Sequence, residues 1–406
     1  ARRRRLAVAL HLACAALAAG GTAQADEGPQ LELRLQAQQN VDSSRGPLAA
    51  ADRLQPGLTS SAASTLVAEA EWRHTLHLRL GEQRLALGTN LVARSVHRPG
   101  GDADTQARVN ELHATTDAGG WSLTAGKRVL GWDVGYGFRP NDVVQQEARR
   151  TLVSATPEGR PMLQAEHFDA ESALSLVWVN PQHLNSASTR TWGGQESALA
   201  LRGYRRDGAV DWHFFGRLGE HTRASAGLAV AWVATDETEL HASWRVMQRH
   251  DGWRFASGAA NQPVTATPWA MTSQGGANQW LLGLSWTGQQ QQGVMVEAWH
   301  DGTALADHDW TVWLARNRAL AASPAPATAR AGNLAWQTTP LDAPNLRRDN
   351  LFVRLSWQPD PWQLTLDVLL HPADRGLVTT AGLSWQGDRW KLSSSLRWLG
   401  GAASAP

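Results

Sequence analysis

The chain has 406 residues, with 38 Lys and Arg against 37 Asp and Glu and a net charge of +1, so it shows neither the basic excess of a nucleic-acid binder nor the imbalance of a disordered tail. Its single cysteine excludes a disulfide scaffold and a cysteine-based zinc site. Two biases remain: 21 tryptophans against 2 tyrosines, and a basic complement that is all Arg apart from Lys127 and Lys391.

The first predicted element is an export signal over residues 1–25. Arg2 to Arg5 form a basic region, Leu6 to Ala19 an apolar stretch, and Ala23-Gln24-Ala25 a small-residue cleavage site before Asp26. The apolar stretch falls short of the ~18 residues that a spanning helix needs, and no later stretch reaches that length. Cys14 lies inside it, and His11 stands where a lipoprotein signal wants an aliphatic residue. The expected mature chain, 26–406, therefore holds no cysteine, and in a membrane only a closed barrel would satisfy its backbone.

From Leu31 onward the period is two. Leu31, Leu33, Leu35 and Ala37 share one face, with Glu32, Arg34, Gln36 and Gln38 on the other. Leu66, Ala68, Ala70, Trp72, Leu76, Leu78 and Leu80 oppose Glu69, Glu71, Arg73, Thr75, His77 and Arg79. Leu85, Leu87, Leu91 and Ala93 then oppose Arg84, Asn90 and Arg94. Further along, Leu240, Ala242, Trp244 and Val246 oppose Glu239, His241, Ser243 and Arg245. A soluble sandwich or propeller also alternates. Here the runs are long, the polar face is charged throughout, and Trp brackets the short turns, as in Trp357-Gln-Pro-Asp-Pro-Trp362 and Trp385-Gln-Gly-Asp-Arg-Trp390. Indoles at strand ends form the aromatic girdle of a membrane interface. The expected fold is all-β, an antiparallel transmembrane β-barrel of about 16–18 strands with long extracellular loops.

The predicted strands are 31–41, then the hairpins 64–80/83–96, 106–117/120–130, 161–168/172–180, 196–206/209–218, 224–234/237–248, 277–287/293–301, 348–358/361–371 and 377–386/389–399. The long connections, 42–63, 131–160, 181–195, 249–276 and 302–347, all fall at one end. The total is 17, whereas single-chain bacterial barrels are usually even. One expectation is a final C-terminal strand beyond these residues, giving 18; the other is a strand overlooked at Asp309 to Arg316. Within the connections, Asn141-Asp142 predicts a capped helix over Val143 to Leu152, and Ser323 to Ala331 reads as a mobile low-complexity loop. Ala259 to Asn278 is a polar loop able to plug the mouth.

The inward faces carry the candidate pore-lining residues Arg34, Arg73, Arg84, Arg94, Arg202, Arg217, Arg245, Arg354 and Arg397, interleaved with Glu32, Glu69, Glu71, Asp211, Glu239, Glu297 and Asp367. Such walls set a transverse field for passing solutes, or simply satisfy one another as salt bridges. The mixed sign argues against a strong preference for simple anions. The most distinctive segment, Gly126-Lys-Arg-Val-Leu-Gly-Trp-Asp-Val-Gly-Tyr-Gly-Phe-Arg-Pro-Asn-Asp142, offers Trp132, Asp133, Tyr136, Arg139 and Asp142 as a constriction, with Gly131, Gly135 and Gly137 permitting tight backbone. An ordinary glycine-rich surface turn is the other reading.

That segment resembles a Gly-Lys/Arg…Trp…Gly…Asn-Pro-x-Asp pattern of Gram-negative outer-membrane porin and exporter families, alginate-export-like barrels among them. Pro140, Asn141 and Asp142 match its end, and Arg139 stands where the pattern has Asn. The resemblance covers these 17 residues and the general barrel pattern; it implies passive, energy-independent passage through a lumen narrowed by this segment. Catalysis has little support, because the 14 histidines are scattered and no nucleotide fingerprint occurs. Neither a metal nor another cofactor is expected. Only five residues separate the cleavage site from the first strand, too few for the plug of a TonB-dependent receptor. The sequence thus predicts an outer-membrane channel for small polar solutes or saccharides. Its expected partners are membrane lipid and the barrel-assembly machinery, with no nucleic acid. The alternative is a non-conducting scaffold or adhesin acting through the extracellular loops.

Overall fold

Alternation gives each strand one apolar and one polar face, and eighteen such strands close on one another. The computed structural model describes residues 8–14, 28–41, 45–58, 64–80, 83–99, 101–146, 157–181, 195–256 and 262–402. The barrel strands are β1 (Val8–Cys14), β2 (Gln30–Gln39), β3 (Ser64–Leu80), β4 (Gln83–His97), β5 (Asp104–Ala118), β6 (Trp121–Arg128), β7 (Arg160–Phe168), β8 (Ser172–Val179), β9 (Ala198–Asp207), β10 (Val210–Gly219), β11 (Arg223–Thr235) and β12 (Thr238–Met247). A separate hairpin follows, β13 (His250–Phe255) with β14 (Trp269–Gln274). The barrel resumes with β15 (Ala277–Thr287), β16 (Gln292–Asp301), β17 (Asp349–Trp357), β18 (Trp362–His371), β19 (Gly376–Gln386) and β20 (Lys391–Gly400). All seventeen expected strands form, with ends moved by a few residues, and every neighbouring pair is antiparallel.

The alternation sorts as expected. Leu31, Leu33, Leu35, Leu364 and Leu366 point outward and are exposed, while Glu71, Asn90 and Glu297 point inward and are buried. Around the short turns Trp362 stands opposite Trp385, beside Trp357 and Trp390, as an outward aromatic band. Apolar outside and polar inside is the inverse of a soluble protein.

Closure involves the parity problem. β2 and β20 run the same way, so one further strand must stand between them for antiparallel pairing. In the structure β1 does so, with Leu10 opposite Gln39 and Cys14 opposite Leu35 on one side. On the other side Val8 lies opposite Trp398 and Cys14 opposite Leu392. The eighteenth strand is thus drawn from the segment expected to be an export signal.

Two expectations for the long connections are corrected. Residues 302–347 hold α2 (Asp307–Ala322), α3 (Ala327–Trp336) and a 3-10 turn (Thr339–Asp342), so Asp309 to Arg316 is helix and not a barrel strand. Trp310 and Trp313 there are buried at helical spacing, and the Asp309 carboxylate accepts the Ala306 N–H at 3.0 Å. Ser323 to Ala331 is not a free loop: its second half opens α3, and Ala331 is fully buried. Alanine is both the strongest helix former and small enough for a close helix contact. The connection 249–276 likewise contains β13 and β14, whose Trp253, Phe255 and Trp269 pack on Trp310 and Trp313. Of the predicted helix 143–152, Val143 to Gln145 form a turn, and 147–156 lie outside the described residues.

A third connection joins this cap. The helix α1 (Gly46–Leu54), between β2 and β3, sits on α3, where Ala51 joins Leu320 of α2 and Ala331 and Leu334 of α3 in one fully buried cluster. Leu334→Asp should cost about 3 kcal/mol at this contact, since a charge would replace buried apolar surface. The expected result is trypsin cleavage after Arg45 and Arg53, with the barrel itself still resistant on gels.

Candidate functional site

Between β6 and β7 the chain turns into the lumen. The segment 129–146 lies along the inner wall, and its first residue is fixed by the Val129 N–H donating to the Glu111 carboxylate at 2.7 Å. Trp132 is buried in a cluster with Val143, Val144, Met162, Val177, Val179, Ala200, Phe215 and Ala229. Met162, Val177, Val179, Ala200, Phe215 and Ala229 are inward positions of β7 to β11 that are apolar where the rest of the lumen is polar. The break in polarity is where the segment seats.

The return half is held by hydrogen bonds. Asp133 accepts from the Val134 N–H at 2.8 Å, the Asn141 N–H at 2.5 Å and the Ser243 hydroxyl at 2.9 Å. Burial pushes the Asp133 carboxyl above its usual range, opposed by these same donors. Its backbone lies at φ 107°, a conformation L-residues rarely adopt, and the surrounding bonds hold it there. At the tip the Tyr136 and Gly137 N–H groups donate to the two Glu297 oxygens at 2.8 and 2.6 Å, and His241 Nε2 contacts the same carboxylate at 2.9 Å. Phe138 stacks on Trp299 with ring centroids 5.8 Å apart. Asn141 Nδ2 donates to Ser243 Oγ at 2.8 Å and to the Leu228 and Trp244 carbonyls.

Glycine is needed both in the segment's own turn and on the wall it lies against. A side chain at Gly135 would strike the Phe138 carbonyl, and one at Gly227, on the wall, would strike the Asn141 amide. Gly227→Ala is therefore expected to lift the return half of the segment. It should raise single-channel conductance while leaving heat-modifiable mobility, and thus the barrel, unchanged.

The predicted site residues separate into two groups. Trp132, Asp133, Tyr136, Arg139 and Asp142 are brought together in the inserted segment. Beneath it lie Arg217, which donates to the Val143 carbonyl at 2.6 Å and to Glu196 at 3.0 Å, and Arg245, which donates to the Pro140 carbonyl at 3.1 Å and to Ser225. With Glu297 these hold the segment in place. The others line the remaining lumen. Arg34 bonds Glu32, Glu69 and Glu71, Arg73 bonds Glu71, and Arg354 grips Asp367 with two bonds at 2.7 and 3.0 Å. Arg397 bonds Thr380, Arg202 bonds His213, and Asp211 accepts from Tyr204 and Arg206. Glu239 lies 3.6 Å from His241. Among the described residues the side chains of Arg84 and Arg94 make no hydrogen bond or ion pair.

Sequence reasoning missed His241, Ser243, Ser225, Phe138 and Trp299 as anchors. His241 and Ser243 sit on the same inward face as Glu239 and Arg245, so the β12 pattern already exposed them. The apolar inward positions Val177 and Val179 were a second readable sign. Among the described residues no group of three His, Cys, Asp or Glu is placed to hold a metal, and no helix is long and apolar enough to cross a membrane.

No known family matches the sequence, and no curated protein is similar to it. Solved structures of substituted forms of a Rhodopseudomonas blastica porin align with 98% of this chain and 99% of theirs at 10% identity, with TM-scores of 0.42 and 0.43. A triple-substituted form gives 0.43 over the same coverage.

Proposed function

We propose that this chain is a bacterial outer-membrane channel for the passive passage of small polar solutes, saccharides among them. One observation carries the reading: a closed barrel, apolar outside and polar inside, whose lumen is narrowed by its own segment 129–146. Eighteen strands enclose an aqueous lumen unless loops fill it. Here the segment's contacts run from β7 round to β16, while Arg34 and Arg73, on the uncovered side, keep side-chain exposures of 37% and 47%.

In this reading the outward leucines meet lipid, the Trp band marks one interface, and the chain reaches the membrane through the barrel-assembly machinery. Residues 1–25 act as a cleaved signal of a Gram-negative exported protein, and 26–406 contribute seventeen of the barrel's strands. With them removed, the antiparallel place that β1 fills between β2 and β20 needs another strand. Refolded protein in a planar bilayer should give discrete current steps. Absence of current across preparations that keep heat-modifiable mobility would favour the scaffold or adhesin reading instead.

A further inference from the structure

Above the inserted segment, toward the cap, lies a chamber of about 130 Å³. Three units meet around it: the inserted segment, through Phe138 and Arg139; the barrel wall, through Arg245, Gln279 and Asp301; and the cap, through Asp251, Trp253 and Asn345. The volume matches roughly four water molecules, each taking about 30 Å³ in the liquid. That is room for a short-chain organic solute, not for a sugar ring with its hydroxyls.

The polar groups around the chamber differ in what they have left to offer. Asp301 is saturated: Oδ1 accepts from Gln279 at 2.9 Å and from the Thr303 N–H and hydroxyl, and Oδ2 accepts from Asn345 at 2.7 Å. Arg245 is engaged through Nε and both terminal nitrogens by Ser225 and the Pro140 carbonyl. Arg139 is different. Its Nε donates to the Gly135 carbonyl at 2.8 Å, which aims the guanidinium, and among the described residues its two terminal nitrogens have no hydrogen-bond acceptor. On the cap side Asp251 holds His221 with Oδ1 at 2.7 Å, and among the described residues its Oδ2 accepts no hydrogen bond.

The chamber thus presents Arg139 as an unused cationic donor and Asp251 as an unused anionic acceptor, with Asp142 also on its wall and Phe138, Trp253 and Leu305 as apolar lining. We infer that it is a binding site for a small zwitterion of the amino-acid type, with the carboxylate on Arg139 and the ammonium on Asp251. A guanidinium reads a carboxylate through two parallel bonds, and a lone carboxylate oxygen suits an ammonium donor. The wall carries Asp142, Asp251 and Asp301 against Arg139 and Arg245, so a simple anion would meet a net negative wall, and a simple cation would leave Arg139 unanswered. Opposite charges at the two ends select for the zwitterion over either half.

Isothermal titration of the refolded full-length barrel with L-serine, acetate and methylammonium tests this. L-Serine should bind at least tenfold more tightly than either single-charge probe. Arg139→Gln should weaken it at least tenfold, and Arg139→Lys less. Because a change at Arg139 could disturb the inserted segment, Asp251→Asn on the cap supplies an independent arm and should weaken L-serine while leaving acetate unchanged. Equal binding of acetate and L-serine, or no binding of L-serine, overturns the inference. The site is separable from conduction. A conducting barrel that ignores L-serine keeps the channel and loses the site, whereas a silent barrel that binds it keeps the site and loses the channel.

Discussion

Glu297→Ala is expected to widen the pore. The Glu297 side chain is fully buried, and its two oxygens answer three groups: the Tyr136 N–H, the Gly137 N–H and His241. Removing it strands two backbone donors, and it leaves His241 without its carboxylate partner. Unsatisfied buried donors cost about 1–3 kcal/mol each, so the tip of the segment should detach at a gain of several kcal/mol over staying in place. The base of the segment keeps its own anchors in Trp132 and Asp133, so the change is a released tip and not an unfolded loop. Single-channel conductance should rise, and larger neutral saccharides should enter liposomes carrying the variant. Glu297→Gln keeps one acceptor and should fall between. Unchanged conductance and size limit in Glu297→Ala would mean that the segment tip does not set the narrowest point.

The second large effect concerns the seam. A protein beginning at Asp26 and ending at Pro406 is expected not to close, because seventeen alternating strands leave β2 and β20 pointing the same way. The pairing lost is the ladder that β1 makes on both sides, five residues opposite β2 and seven opposite β20. In lipid each unpaired N–H and C=O costs several kcal/mol, so an open seam of that length is not tolerated. Refolding this protein in detergent, then comparing heated and unheated mobility on gels, reads closure directly. Supplying an eighteenth strand, either Val8–Cys14 left in place or a strand fused after β20, should restore the compact form. A compact, heat-modifiable barrel from 26–406 alone would show that β2 and β20 pair in parallel. Sequencing the N-terminus of protein recovered from membranes adds the complementary fact: a start at Asp26 removes β1 as the native seam strand.

Much of the barrel was legible because strand periodicity is a local property. Leu31 to Ala37 against Glu32 to Gln38 specifies two faces before any partner is known, and short turns bracketed by Trp357 and Trp362 specify which strands pair. The inward placement of Arg34, Arg354 and Asp367 followed from the same alternation, while the register that sets Arg354 opposite Asp367 came only with the folded hairpin. What misled was the cap. Trp310, Val312 and Leu314 alternate, but Trp310 and Trp313 also satisfy a helix, and a stretch that short supports either period. Burial against Trp253 and Trp269, some forty residues and more away in the chain, settled it as helix.

The sequence by itself determined most of the barrel's wall: seventeen of its eighteen strands, and which of their residues face water and which face apolar surroundings. Those are consequences of a two-residue repeat, and a repeat needs no knowledge of distant contacts. Only the tertiary structure decided that segment 129–146 folds inward, that Glu297 and Ser243 receive it, and that Arg217 and Arg245 hold it in place. It alone showed that Arg139 and Asp251 face one chamber. These pairings join residues seventy or more positions apart, and their chemistry depends on which hydrogen bonds are already taken once the barrel has closed.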